Sequence, residues 1–247
     1  GEAVTLTLVT AAPQPAAEVN VAWTGCARMV IDGATGMRGC APGAELAPFT
    51  GNPAQFVAAQ PADDGSPYTL FGLACAGGSP TLDPMTLRPR CTTGESAAFL
   101  RTVRVRRDEA NHNPRIARIL FDRTELNESF ARPVAPCLAT DEDERLNCPA
   151  HRVTIEFARD ARDMTRIVQP DGRMDMVPEV LISEFLVDRG DLYGAFRSDA
   201  DEDPDVPTGM HGNLFTPPPS GDVRLWFIVR DGRGGFDFAT RTLRVAP

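Results

Sequence analysis

The stretch that most restricts how this chain can fold runs from Val223 to Val245. Val223, Leu225, Phe227 and Val229 alternate with Arg224, Trp226, Ile228 and Arg230, the period of two that a half-buried strand requires. Asp231-Gly232-Arg233-Gly234-Gly235 follows, rich in residues that reach positive φ at little cost, and predicts a hairpin. The second arm changes phase: Phe236 and Phe238 fall on even numbers, Leu243 and Val245 on odd ones. A β-bulge near Ala239 or Thr240 is the expected cause. The hairpin is expected to close a domain.

A second strand ending in Thr242-Leu243-Arg244-Val245, after Asp-Gly-x-Gly-Gly, resembles the end of bacterial Ig-like repeats of the polycystic-kidney-disease and cadherin-like kind. That resemblance implies a β-sandwich and an extracytoplasmic location. It implies no activity, because such modules serve adhesion, spacing and ligand display alike. Trp23 resembles the core tryptophan that many Ig-like domains carry on their third strand. In overall texture the chain is similar to Ig-like envelope lipoproteins of myxobacterial type, which implies a lipid anchor upstream of Gly1.

Two segment pairs repeat in the same order. Val4-Thr5-Leu6-Thr7-Leu8 is answered by Val153-Thr154-Ile155-Glu156-Phe157, and Arg101-Thr102-Val103-Arg104-Val105 by Arg241-Thr242-Leu243-Arg244-Val245. With 22 Pro, 21 Gly and no periodic apolar run long enough for three helical turns, the expected fold class is all-β: two tandem Ig-like antiparallel β-sandwiches with long disulfide-tied loops. The expected domains are residues 1–108 and 109–247, joined through the charged stretch around Asn111-His112-Asn113-Pro114. Val180–Val187 should match the Trp23 strand. Pro114–Phe121 leads the second domain and has no counterpart before Val4, so the first domain is expected to lack its first strand. Residues 27–66 and 188–220 read as long loops, and 158–178 as a polar segment with a helical turn around 160–167.

Six cysteines, at 26, 40, 75, 91, 137 and 148, contain no Cys-x-x-Cys pair, which excludes zinc ribbons and thioredoxin-like sites. An even number in an all-β chain points to disulfides and an oxidising compartment. Cys137 and Cys148 stand apart and pair with each other. The other four have open connectivity, with the near neighbours Cys26–Cys40 and Cys75–Cys91 favoured.

The formal net charge of −9 argues against a nucleic-acid partner and against docking on an anionic membrane. No transmembrane span is evident, and the chain opens with Gly1, the mark of a processed or trimmed protein. All 25 basic residues are Arg, so Lys–Asn isopeptide cross-links are excluded. Residues 1–109 carry 8 Arg against 10 acids, and 110–247 carry 17 against 24, which makes the second half the candidate for a cation or basic partner. There, Asp199, Asp201, Asp203 and Asp205 space carboxylates as calcium loops begin. Pro204 and the absence of a Glu at the twelfth position depart from an EF-hand, and a solvated acidic loop is the competing reading. His112, His151 and His211 lack metal-ligand spacing, and no Gly-x-Ser-x-Gly or His-Glu-x-x-His motif occurs. No catalytic or cofactor-binding residue is therefore assigned. The expected function is a non-catalytic structural or protein-interaction module of a cell-envelope assembly, located in the periplasm, on the outer surface or outside the cell, and binding through inter-strand loops. The alternatives are a calcium-dependent adhesin or carbohydrate-binding module, and a secreted hydrolase with an unfamiliar site.

Overall fold

The structure, a computed structural model, describes residues 2–8, 18–31, 38–58, 67–82, 89–104, 111–127, 130, 132–139, 141, 144, 147–169, 171–199 and 209–246. The chain divides into two compact units, residues 1–110 and 111–247. Both are built from antiparallel strands, as the alternating sequence requires. Among the described residues, no helix is long and apolar enough to cross a membrane.

The first unit holds β1 (Glu2–Leu6), β2 (Val19–Cys26), β3 (Met29–Ile31), β4 (Arg38–Cys40), β5 (Glu45–Thr50), β6 (Ala54–Ala58), β7 (Pro67–Ala76), β8 (Pro80–Leu82), β9 (Pro89–Cys91) and β10 (Glu95–Arg104). One sheet has the order β10-β7-β2-β5, and β1 pairs with β6. The two layers meet over a chain of rings. Phe99 stands edge-on to Trp23 at 4.8 Å, Trp23 stacks on Phe49, Phe49 on Phe56, and Phe56 tilts against Tyr68. Gly72 makes room for this, since a Cβ there would lie 1.9 Å from the Phe99 ring. Trp23 Nε1–H donates to the Gly51 carbonyl at 3.1 Å, so its one polar atom is satisfied in the core.

The expected loop over residues 27–66 is instead strand-rich. It contains the β3–β4 hairpin, β5 and β6, and a second hairpin, β8–β9, interrupts residues 77–94. Gly, Ala and Pro hid the alternation, because short strands tied to a sheet need little hydrophobic contrast of their own. The ties are disulfides: Cys26–Cys40 binds β4 to the end of β2, and Cys75–Cys91 binds β9 to β7, with Cα separations of 5.1 and 5.5 Å.

The second unit holds β11 (Ile116–Phe121), β12 (Thr124–Glu125), β13 (His151–Phe157), β14 (Met164–Val168), β15 (Met174–Pro178), β16 (Ile182–Val187), β17 (Asp191–Leu192), β18 (Phe196–Ser198), β19 (Met210–Thr216), β20 (Gly221–Arg230) and β21 (Phe236–Val245). Sheets of order β12-β11-β13-β19-β17 and β18-β16-β20-β21 enclose one cluster of 17 buried apolar residues. Val153, Ile155, Phe185, Phe215 and Phe227 lie at its centre. Residues 188–220, expected as a loop, supply β17, β18 and β19. Residues 158–178 form the β14–β15 hairpin and no helical turn around 160–167. Cys137–Cys148 closes the excursion that follows β12, with a Cα separation of 5.4 Å.

The two four-stranded sheets share one order, β10-β7-β2-β5 answering β21-β20-β16-β18, and β1–β6 answers β13–β19. Strand β11 has no described counterpart ahead of β1.

The expected bulge in the last hairpin is absent: β20 and β21 pair in continuous register from Arg230↔Phe236 to Gly221↔Val245. The phase change has another cause. Inward positions of β21 near its start carry polar groups that serve the facing sheet. Asp237 Oδ2 accepts the Ile116 N–H at 2.7 Å, and Arg241 Nε donates to the Leu126 carbonyl at 2.6 Å. Phe236 and Phe238 point the other way, into solvent.

Candidate functional site

Asp199, the first residue of the candidate calcium run, is held by protein groups. One oxygen accepts the Leu181 N–H at 2.7 Å, Arg162 donates to both oxygens, and His211 Nε2 lies 3.2 Å from Oδ1. Burial pushes its carboxyl up, but the Arg162 and Leu181 bonds and the charges of Arg162 and His211 outweigh this and hold it below the usual range. Asp201, Asp203 and Asp205 lie outside the described residues. Among the described residues, no group of three or more His, Cys, Asp or Glu side chains is placed to hold a metal ion.

The same network contains a Ser–His–Asp set that the sequence reading missed, because its members are spread over β16, β19 and the residue after β18. Ser183 Oγ lies 2.7 Å from His211 Nδ1, and Asp199 closes the far side of the ring. Ser183 has no exposed surface and His211 is 5% exposed, so no substrate carbonyl reaches Oγ without opening the sandwich. The set is a buried polar tie between the two sheets. A shallow depression of about 120 Å³, lined by Cys137, Ala139, Gly190, Asp191 and Pro217–Pro219, contains none of these groups.

A second buried polar group organises the Asp231–Gly235 turn. Asp231 Oδ1 accepts the N–H groups of Arg233 and Gly235, both at 2.8 Å, and Oδ2 accepts from Asn111 at 2.9 Å. Arg233 Nη1 lies 3.0 Å from Glu179, whose side chain is almost fully buried. Burial, and then the Asp231 charge, push the Glu179 carboxyl up against the pull of Arg233. The guanidinium supplies this acidic pocket with its cation from within the chain.

Another feature faces solvent. On the side of β18-β16-β20-β21 away from the core, one row across the strands is Phe196–Glu184–Ile228–Phe238. The row on one side is Ser198–Ile182–Arg230–Phe236, and the row on the other is Leu186–Trp226–Thr240. Phe196 is 56% exposed, and Ile182, Leu186, Phe236 and Phe238 are each 40–42% exposed. Glu184 and Arg230 form an ion pair of 2.7 Å inside the patch. Four rings, Phe196, Trp226, Phe236 and Phe238, thus gather on one solvent-facing sheet of a chain in which aromatics make up only 7%. The signal was present in the sequence: Ile182, Leu186, Trp226, Ile228, Phe236 and Phe238 all occupy the positions that a simple alternation assigns to water.

No family model matches the chain. No curated protein matches it either. A solved structure described as the D00-D0 domain of Intimin aligns over 100% of this chain and 93% of that chain, at 10% identity and a TM-score of 0.30. A score this low does not bear on fold or function.

Proposed function

We propose that the chain is a non-catalytic, extracytoplasmic interaction module of a bacterial cell envelope, and that it holds its ligand on the outer face of the β18-β16-β20-β21 sheet. The observation that carries the reading is that exposed face. On the corresponding face of the first unit Cys26, Leu73 and Cys75 are buried, and Leu100 is its one large apolar side chain among the strongly exposed. Three disulfides support the location, since such bridges persist in oxidising compartments. We place binding on the sheet face in preference to the inter-strand loops, because the segments read as loops also contain β3–β6 and β17–β19. The buried Ser183 supports the non-catalytic reading over a hydrolase.

The test uses immobilised wild-type protein and the double variant Phe196→Ser/Phe238→Ser, each exposed to envelope extract of a bacterium. Material retained by the wild type and released by the variant is the expected result. Equal retention by both would remove the sheet face from the account.

A further inference from the structure

We infer that the ligand of this face is a neutral glycan chain, bound flat across the four strands; the inference rests on the sheet-face reading above and names its occupant. Four features of the face select that class.

The first is extent. Four strands about 4.8 Å apart, carrying three rows of outward residues, make a face of roughly 400 Å². A stable protein interface takes about 800 Å² from each partner. The patch is thus too small to hold a folded domain or a second copy of the chain by itself, and matches a narrower ligand.

The second is the state of the sheet edges. A peptide joining as an extra strand needs free backbone groups, and several of these are already engaged. On β21 the Phe238 N–H bonds Asp237 Oδ1 and the Thr240 carbonyl accepts from Arg241, both at 2.8 Å. Val134 bridges to Val245 at the far end, with its N–H on the Arg244 carbonyl. The opposite edge, β18, is three residues long, and its Phe196 carbonyl is taken by Arg197 at 2.9 Å. A joining strand would have to displace these bonds, and β18 offers it only three residues.

The third is charge. Glu184 and Arg230 cancel within the patch, while residues 110–247 carry 17 Arg against 24 acids. An anionic polymer is repelled by the unit as a whole. A cationic one finds no unpaired acid among the patch residues named here.

The fourth is the mixture of groups. Rings and branched aliphatics surround one carboxylate, one guanidinium and the hydroxyls of Ser198 and Thr240. A pyranose presents the same two chemistries: an apolar C–H face that lies on a ring, and a rim of hydroxyls that donate and accept. Phe196 and Phe238 stand three strand spacings apart, about 14 Å, a distance that several consecutive sugar units cross.

Trp226 lies on the face, half-buried, in the row beside the Phe196–Phe238 row, whereas Trp23 is buried in the core of the other unit. Titration of the full chain carrying Trp23→Phe therefore reports on the site through Trp226 emission. The probes are a soluble β-glucan, a soluble α-glucan and, as an anionic control, a polyuronate. The expected result is a saturable change with at least one neutral glycan and none with the polyuronate. The change should weaken roughly tenfold or more in Phe196→Ser, as for loss of an anchoring ring. The parent chain with both tryptophans, titrated calorimetrically, guards against a Trp23→Phe variant that folds poorly. No binding to either neutral glycan overturns the inference. If face-dependent capture from extract persists in that case, the sheet face stands and the glycan falls. Self-association in sedimentation, lost in Phe196→Ser, would identify a second copy as the occupant and also overturn it.

Discussion

In the first unit Cys26, Leu73 and Cys75 point away from the Trp23 side of their sheet and are nevertheless buried. In the second unit Ile182, Leu186, Phe236 and Phe238 hold the equivalent side of a sheet with the same strand order and stand in water. The cores differ in the opposite sense. Among the described residues, the second unit buries one contiguous cluster of 17 apolar side chains, and the first buries clusters of four and three. The first unit adds two disulfides where its core is thin, and those same disulfides tie hairpins to the sheet. The second has the larger core among the described residues and leaves an apolar face exposed. One strand order thus carries two different outer faces: around the disulfides of the first unit the side chains are buried and Leu100 alone among the large apolar ones stands well exposed, whereas the second unit exposes a cluster of rings.

The largest expected effect comes from breaking the disulfides of the first unit. Replacing Cys26, Cys40, Cys75 and Cys91 by Ser removes two cross-links at about 2–5 kcal/mol each. Calorimetry should then lose the transition of the first unit and keep that of the second. Equal loss of both transitions would contradict the contrast in cores. Next, Phe227→Ala, at the centre of the 17-residue cluster, should cost the second unit about 3–5 kcal/mol. A similar substitution on the two outer faces separates them more sharply. Leu73→Ala should cost about 2–5 kcal/mol because Leu73 is buried, while Phe196→Ser/Phe238→Ser should change unfolding by about 0.5 kcal/mol or less per site. A large loss from the double variant would make the exposed rings structural.

The acid limb gives the smallest effect. Asp199 is held below its ordinary range, so its contribution is present above the unfolded carboxylate value and is lost as pH falls through the folded one. Asp163, lowered first by the His112 N–H, acts in the same direction. Glu179 is raised, so its contribution is present at low pH and is lost as pH rises through its folded value. Asp199→Asn should therefore flatten the fall in melting temperature of the second unit below about pH 4. An acid limb as steep as that of the wild type would place the pH dependence elsewhere.

Much of this architecture was legible in the chain. The Val223–Val229 alternation is the inner face of β20, and Trp23 lies in the first core. Three disulfides join the cysteine neighbours that spacing favoured. What escaped did so for physical reasons. Residues 27–58 contain strands too short and too poor in hydrophobic contrast to show a period, because a disulfide and a neighbouring sheet hold them. Phe236 and Phe238 suggested a bulge, because a period-two reading assumes that every ring seeks the core. Here the rings turn outward, while Asp237 and Arg241 turn inward to satisfy the facing sheet. Ser183, His211 and Asp199 are brought together by pairings between distant strands, which no local spacing encodes.

Hydroxyl-radical footprinting of the native, oxidised protein tests the contrast between the two faces most directly. The account predicts rapid labelling of Phe196, Phe236 and Phe238, with Leu73 protected until the disulfides are reduced. Protection of the three phenylalanines to the level of Leu73 would mean that the second face is covered as well, and would contradict the account.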